Sequence, residues 1–470
     1  MGAFYGVILS VFLGIVLMCK VFGTWIFKEK PKSGLPDGSM GHFPLVGETL
    51  GFLKPHKSNS LGFFLQDHCS RYGNVFRSHL FGSPTVVSCD LELNTFILQN
   101  EETLFRSSYP KPVHDILGKL SMMLVSGNLH KKLRSVALSF INASKSSPGF
   151  LSYVDTFSLS FIHSWTSLST PLHFFKEAKK LTFYLMLKNL LSIEPDDPIA
   201  ENILEEFLTF MKGFVSLPVY IPGNAYSKAV KARRRISSTL KDAIKKREKM
   251  MKNARGDFLD ELVQRDSLND EEKVSVLLDL LLAGYETTSG LMALVVYFLA
   301  KAPSALQKLR EEHQSLRKTK QDGEPLNWED YRKMEFTSHV ISEALRCGNL
   351  VKFVHRKALK DVKFREYTIP AGWQVLPIIL ATHLDPNLHQ CPLEFNPWRW
   401  TDPTTNRKVT PFGGGVRICP GAELGKLETA FFLHHFLLNF RWKIKEEDAP
   451  MSCPYLDFKG DLLLELEQIK

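Results

Sequence analysis

The chain has 470 residues, 44% of them hydrophobic and 23% charged. That is enough to bury a large core in one domain or two closely packed ones, and it excludes a disordered or fibrous class. The net charge of +9 is no global field, because the segment Lys228–Arg255 holds twelve Lys or Arg against two acids, Asp242 and Glu248, and leaves the rest near −1. Such a stripe reads as a solvated helix face or as a docking surface for anionic lipid or an acidic protein, and no nucleic-acid partner is expected from it.

Residues 2–19 carry no charge, and at about 1.5 Å per residue they span roughly 27 Å, close to a bilayer's hydrocarbon thickness. Lys28, Lys30 and Lys32 follow. A positive flank on the C-terminal side predicts an uncleaved single-span membrane anchor over 1–30, with the body in the cytosol. Residues 31–55, with Pro36, Gly38, Gly41 and Gly47, read as a Pro/Gly hinge, and 56–470 as the body. The seven cysteines are scattered, odd in number and without a C-x-x-C pair. This disfavours a disulfide framework or a zinc ribbon and fits a reducing, cytosolic face.

Along the body, 58–73 predicts a helix ending at Gly73, and 74–89 a hairpin turning at Gly82-Ser83-Pro84. Most of 130–350 reads as helical, with periodic apolar segments at 200–216, 270–300 and 328–346. After about 360 come short β-like runs around a glycine-rich loop and its helix. The predicted class is mainly α with small β-sheets.

Four constellations carry chemistry. The segment around Ala283, Gly284, Glu286, Thr287, Thr288 and Ser289 lies in a helix too apolar to be a surface one. A glycine there costs about 1 kcal/mol relative to alanine, and an unpaired acid costs more. One reading is a packing glycine near a helix end. The other is a groove where a small or planar group approaches the backbone, with the acid and hydroxyl passing protons through water. Glu343 and Arg346, three apart on a helix, can pair. Such pairs are usually weak surface contacts, but Arg399, set among Phe395, Pro397, Trp398 and Trp400, would make them a buried structural lock. The last constellation is "PFGGGVRICPG", 411–421. Packing, metal ligation and nucleophilic catalysis are each open to its cysteine. Pro420 suits the first position of the next helix. That helix N-terminus and Arg417 would favour the thiolate of Cys419, and the glycines let main-chain amides approach it. Zinc would need further ligands at short spacing, and His434 and His435 lie too far along. A nucleophile would need a base, and none is local. The axial ligand of an iron porphyrin fits best.

Together these motifs resemble the cytochrome P-450 family: A-G-x-E-T-T at 283–288, E-x-x-R at 343–346, F-N-P-W-R-W at 395–400 and F-x-x-G-x-R-x-C-x-G at 412–421. The resemblance covers the whole chain. It implies that fold with an N-terminal transmembrane helix, a haem b cofactor and a monooxygenase reaction. Electrons would come from NADPH through a separate reductase. It further implies that Cys419 is the axial ligand of the iron and that Phe412 shields the sulfur. Glu286 and Thr287 would be the acid–alcohol pair that handles protons. Glu343, Arg346 and Arg399 would form a structural triad. Gly284, Arg134, Arg356 and Arg417 would sit at the haem, the arginines at its propionates. His130 stands where many relatives have tryptophan, and its charge would vary with pH. Within the family the chain is similar to plant steroid hydroxylases of brassinosteroid biosynthesis, in particular the side-chain 22-hydroxylases. It departs from that pattern at Pro36-Asp37-Gly38 and in a short linker at 401–409. The expected substrate is a plant sterol, the expected partners dioxygen, the reductase and the lipid bilayer, and the expected site the endoplasmic reticulum membrane. The apolar parts of 114–125 and 212–223 read as sterol-channel lining or as ordinary core. Other readings are a hydroxylase of another terpenoid or another position, a lipid-peroxide isomerase of the same family, and a non-enzymatic membrane-anchored binding protein.

Overall fold

The computed structural model describes residues 33–41, 46–167, 171–214, 216, 219–249, 256–453 and 455–469. The expected anchor at 1–30 lies outside them. The helices are α1 (Thr49–Phe52), α2 (Gly62–Tyr72), α3 (Leu91–Gln99), α4 (Lys111–Leu117), α5 (Gly127–Ser146), α6 (Pro148–His163), α7 (Phe174–Leu191), α8 (Pro198–Met211), α9 (Ala225–Lys249), α10 (Phe258–Val263), α11 (Asp270–Ala300), α12 (Pro303–Lys318), α13 (Trp328–Lys333), α14 (Glu335–Gly348), α15 (Ile379–His383) and α16 (Ala422–Asn439). Small sheets flank them, so the mainly α class with small β-sheets holds. The strands of the smaller sheets are β1 (His56–Lys57), β5 (Leu172–His173), β7 (Val362–Phe364), β8 (Tyr367–Ile369), β10 (Phe440–Ile444), β11 (Met451–Cys453), β12 (Tyr455–Asp457) and β13 (Leu463–Gln468).

The spine is α11. Asn269 starts it with a reciprocal capping box to Glu272, which satisfies two amides that a helix start otherwise leaves bare. Its residues are apolar on every side, and it is buried along nearly its whole length. It is the one helix among the described residues long and apolar enough to cross a membrane, yet most of it lies in the core. Leu291–Leu299 pack with α6, α14 and α16 in one apolar cluster. Val274–Tyr285 pack with α5, α7, α8 and α9 in another. At roughly 25 cal/mol per Å² of apolar area, these two faces supply the main driving force for the helical body.

The largest sheet has five strands in the order β2 (Val75–Leu80), β3 (Ser83–Ser88), β9 (Gln374–Pro377), β6 (Arg356–Ala358) and β4 (Phe105–Ser107). It carries Arg356 to the site. The β2–β3 hairpin is present, but its turn is Phe81-Gly82 (φ +54° and +75°). Ser83 and Pro84 already belong to the strand. The type I′ form of a two-residue turn needs positive φ at both positions, which Gly82 provides freely and proline cannot. The helix expected over 58–73 ends at Gly73 (φ +84°) but starts only at Gly62. The expected segment 328–346 breaks at Met334 into α13 and α14, because Glu312 of α12 accepts the Phe336 and Thr337 amides (2.7 and 2.9 Å) and so caps a new helix start.

The hinge segment is tied to the body. Arg77 N–H donates to Asp37 O (2.9 Å) and Thr368 N–H to Gly34 O (2.7 Å). At Gly38 a Cβ would lie 2.0 Å from Arg77 O. Phe52 is buried against Phe64, Phe81 and Phe353.

Candidate active site

The cysteine loop is built by backbone bonds and two left-handed glycines. Thr410 N–H donates to His383 Nε2 (3.1 Å) and Cys419 N–H to Phe412 O (2.9 Å). Gly413 and Gly415 have φ of +72° and +64°. At Gly415 a Cβ would also meet Leu98 O of α3 at 2.0 Å, so no side chain is compatible there. Cys419 is a free thiol accessible to solvent. Desolvation by the surrounding protein pushes its pKa up, while the Gly421 amide and the Arg134 guanidinium pull the other way. Gly421 is the N-cap of α16, so Pro420 lies before the helix and not at its first position. Phe412 is half-buried against the core, with Lys426 Nζ 5.3 Å from its ring centre.

Arg417 does not serve the thiolate. Its Nε donates to Glu101 Oε1 (2.6 Å), Nη1 to Met122 O (2.9 Å) and Nη2 to Val125 O (2.6 Å). Arg134 reaches the loop instead, with Nη2 donating to Ile418 O (2.5 Å). On β6, Arg356 is buried with Nε 2.5 Å from Glu101 Oε2. His130 of α5 is buried, and among the described residues its Nδ1 has no hydrogen-bond partner. Burial first, then Arg417 and Arg134, lower its pKa to about 4. The same surroundings favour the neutral form of its imidazole.

Across from this loop, α11 turns a different face outward. Ala283 and Thr287 are exposed although the helix around them is buried. Thr287 Oγ1–H donates to Ala283 O (2.6 Å). Glu286 has its pKa raised by burial, opposed by Lys179 of α7 (Nζ 3.7 Å from Oε1) and reinforced by the field of Asp457. Gly284 sits against α7, where a Cβ would lie 2.5 Å from Met186 Sδ, so packing accounts for this glycine. The two halves of the site meet where α16 crosses α11: a Cβ on Gly425 would lie 3.4 Å from Thr288 Oγ1. That crossing is one residue past Thr287 and six past Cys419.

The lock forms around Glu343. Arg346 binds it twice (Nε–Oε2 3.0 Å, Nη2–Oε1 2.8 Å), and Arg399 Nε donates to Oε1 (2.8 Å). Trp400 Nε1 (2.9 Å) and the Asn396 amide (2.9 Å) complete the shell. Glu343 and Arg346 are wholly buried, so this is no surface pair. Arg346 Nη1 also donates to His383 O (2.8 Å), and His383 receives the Thr410 amide, which ties the lock to the cysteine loop.

Glu101 and Lys179 join the site without any sequence signal, since each lies in an ordinary stretch. Among the described residues no three His, Cys, Asp or Glu side chains converge on a metal position. Two surface depressions, one beside Lys301 and Trp398 and one between α8 and α9, lie away from this cleft. In the expected channel segments, Ile116 and Leu117 are core and Met123 is accessible, while Val219, Tyr220 and Ile221 are exposed.

A buried helix with an exposed alanine–threonine turn beside a mostly buried acid, crossed by the helix that follows an accessible cysteine in a glycine loop, defines a class. The sequence matches the family described as Cytochrome P-450 over residues 36–464. A cytochrome P-450 724B1 of Oryza sativa subsp. japonica is 53% identical over 92% of this chain and 92% of its own length. A cholesterol 22-monohydroxylase of Paris polyphylla is 44% identical over 97% of this chain and 98% of its own. A steroid (22S)-hydroxylase of Oryza sativa subsp. japonica is 42% identical over 95% and 90%. Among solved structures, retinoic acid-bound cyanobacterial CYP120A1 matches with a TM-score of 0.82 at 25% identity, over 93% of this chain and all of that one (100%). The chain belongs to the cytochrome P-450 family and has its fold. That membership implies a haem-thiolate cofactor and a monooxygenase reaction.

Proposed function

We propose that this protein hydroxylates the side chain of a plant sterol at the 22-position, a step of brassinosteroid-type synthesis, and that the Cys419 thiolate would hold its haem b. The observation that carries the reading is the accessible Ala283–Thr287 turn, with Glu286 beside it, brought to Cys419 by the α11–α16 crossing. The relatives named for cholesterol or steroid 22-hydroxylation support the substrate class.

The residues present fit the haem. Arg356 and Arg417 share a single carboxylate, Glu101, Arg134 stands near enough to feel the charge of Arg417, and buried His130 beside them has an Nδ1 with no hydrogen-bond partner among the described residues. Cations in excess of carboxylate suit a ligand bearing two propionates. Phe412 would shield the sulfur. When bound, the haem would supply the iron at which dioxygen is activated and the electrons from an NADPH-linked reductase are received. The Gly421 amide and Arg134 would steady the Cys419 thiolate. Burial keeps Glu286 protonated to a higher pH than an ordinary glutamate, with Lys179 available to receive its charge once the proton leaves. Because Thr287 Oγ1 spends its hydrogen on Ala283 O, its lone pairs are free to accept a hydrogen bond in the cleft.

The anchor at 1–30, the hinge at 31–55 and the body from 56 onward would place the catalytic part on the cytosolic side of the endoplasmic reticulum membrane. The exposed Val219, Tyr220 and Ile221 precede exposed Lys228, Lys231 and Arg234, an apolar tip beside a cationic helix start that suits an anionic bilayer surface.

The test is the absorption spectrum of the reduced, carbon-monoxide-bound protein in membranes, followed by turnover of cholesterol with a plant reductase. A red-shifted thiolate band lost in Cys419→Ser, with a 22-hydroxylated product from the unaltered protein, is expected. A retained thiolate band in Cys419→Ser would overturn the ligand assignment, and oxidation only at other carbons would overturn the position.

A further inference from the structure

Between α4 and α5 the chain runs as an irregular strap, 117–126, and three charged side chains from distant parts of the fold pin it. Arg233 of α9 donates Nε–H to Leu117 O (3.2 Å). It packs so closely on Gly118 (φ +90°) that a Cβ there would lie 1.9 Å from Nη2. Arg417 holds the far end through the Met122 and Val125 carbonyls (2.9 and 2.6 Å). The middle is held by Asp279 of α11. Its Oδ1 accepts Ser121 Oγ–H (2.7 Å) and its Oδ2 accepts Met122 N–H (2.6 Å). Ser107 Oγ–H adds a bond to Met123 O (2.7 Å).

Ser121 and Asp279 are buried, whereas Met123 next to them is 41% exposed. The strap therefore has an anchored underside and an accessible apolar residue. Its far anchor, Arg417, stands two residues before Cys419, so the strap is tied to the cysteine loop. Asp279 lies seven residues, about two turns, before Glu286 on the same helix. A carboxylate in an apolar helix is costly unless bonded, and neither haem binding nor proton handling uses this one.

We propose that Asp279 is a positioning residue that latches the 117–126 strap over the substrate cleft. Both of its oxygens face donors, and one donor is a backbone amide that cannot reverse its role. The ionised carboxylate satisfies both, and so does the acid with its proton on Oδ1, which donates to the Ser121 hydroxyl while Oδ2 keeps the Met122 amide. What ionisation adds is a charge that the closed strap keeps from water and that water reaches once the strap opens. Ionisation therefore loosens the strap. Arg233 is the charged side chain whose field acts on Asp279, and it also feels Glu271 and Arg234; the strap faces the carboxylate with the Ser121 hydroxyl and Met122 amide. Burial raises the Asp279 pKa to about 7 against these donors and Arg233. The closed strap thus holds the Asp279 proton more tightly than an opened one would, and the latch is set to loosen as pH rises through neutrality.

The latch rests on reading the Cys419–Thr287 cleft as the substrate chamber. The test uses the full-length, haem-loaded protein, with each variant required to keep its thiolate spectrum. Two quantities are read from pH 6 to 8: amide exchange of 117–126 and the spectral affinity for cholesterol. In the unaltered protein, exchange is expected to rise and affinity to fall severalfold toward pH 8. Asp279→Asn, which keeps the shape without titrating, should abolish that pH dependence. Ser121→Ala should raise strap exchange about fivefold, as the loss of one hydrogen bond predicts. PH dependence retained in Asp279→Asn, or strap exchange unchanged in both variants, would overturn the latch. Exchange that responds while cholesterol affinity does not would overturn the placement of the strap over the cleft. A missing thiolate band in the unaltered protein would instead be a failure of the haem assignment, and it is read separately.

Discussion

Glu343 and Glu286 are both glutamates inside apolar helical packing, yet the fold drives them in opposite directions. Burial by itself would raise the pKa of each. At Glu343 this is overcome by the two bonds of Arg346, the Asn396 amide and the field of Arg399, and the pKa falls below its usual value of 4.5. At Glu286 burial wins, because the facing cation, Lys179, stands 3.7 Å off and Asp457 works against it. The number and distance of donors, and not burial alone, separate a carboxylate that holds a fold from one that holds a proton. Asp279 sits between them: two donors serve it, yet its pKa still rises to about 7.

The hardest way to break this comparison is Glu343→Ala. It strands Arg346 in the core with a charge that nothing neutralises, and it frees Arg399 and Trp400. The expected cost is about 3–5 kcal/mol of stability, with loosening of the His383–Thr410 tie to the cysteine loop. Thermal unfolding and the thiolate spectrum together measure it; a small shift with an intact spectrum would deny the lock its role. In the unaltered protein the stability from Glu343 is present above about pH 4.5 and is lost as pH falls through its lowered pKa.

Next in size is Glu286→Gln. Product formed per electron consumed should fall about a hundredfold, at the lower end of what a positioned acid or base contributes, and Thr287→Ala should do likewise. Unchanged coupling in both would remove these residues from proton handling. The sign for stability is opposite to that of Glu343. A raised pKa contributes stability below about pH 4.5 that is lost as pH rises through the folded value. The melting temperature of Glu286→Gln should therefore gain on the unaltered protein as pH rises.

The smallest effect is expected from Lys179→Met. Removing the one facing cation raises the Glu286 pKa further. The alkaline limb of the coupled rate should then move to higher pH, with little change at its plateau. A limb that stays in place would mean that Lys179 does not govern Glu286.

Much of the site could be read along the chain. The limits of α11, 270 to 300, follow from an apolar run and the Asn269 cap, and the end of α2 from Gly73. Gly413 and Gly415 adopt the left-handed backbone that only a glycine takes without strain. Less legible were features made by partners far along the chain. Glu101 joins Arg417 across 316 positions, and nothing in its neighbours distinguishes it from Glu102. Met334 reads as helix interior until Glu312 of α12 arrives to cap the residues after it. Arg417 was expected to serve the sulfur, and only the tertiary arrangement shows Arg134 in that place and Arg417 turned to the 117–126 strap.

The sequence by itself determined the family, the helical spine, the cysteine loop and the residue types that chemistry requires. These rest on short-range periodicity and on backbone angles that one residue allows and another forbids. Only the tertiary structure decided which carboxylates are ionised, which arginine meets which oxygen, and where the strap is latched. Those outcomes depend on distances between groups remote in the chain and on how much water the fold leaves between them, and neither quantity is written in the order of residues.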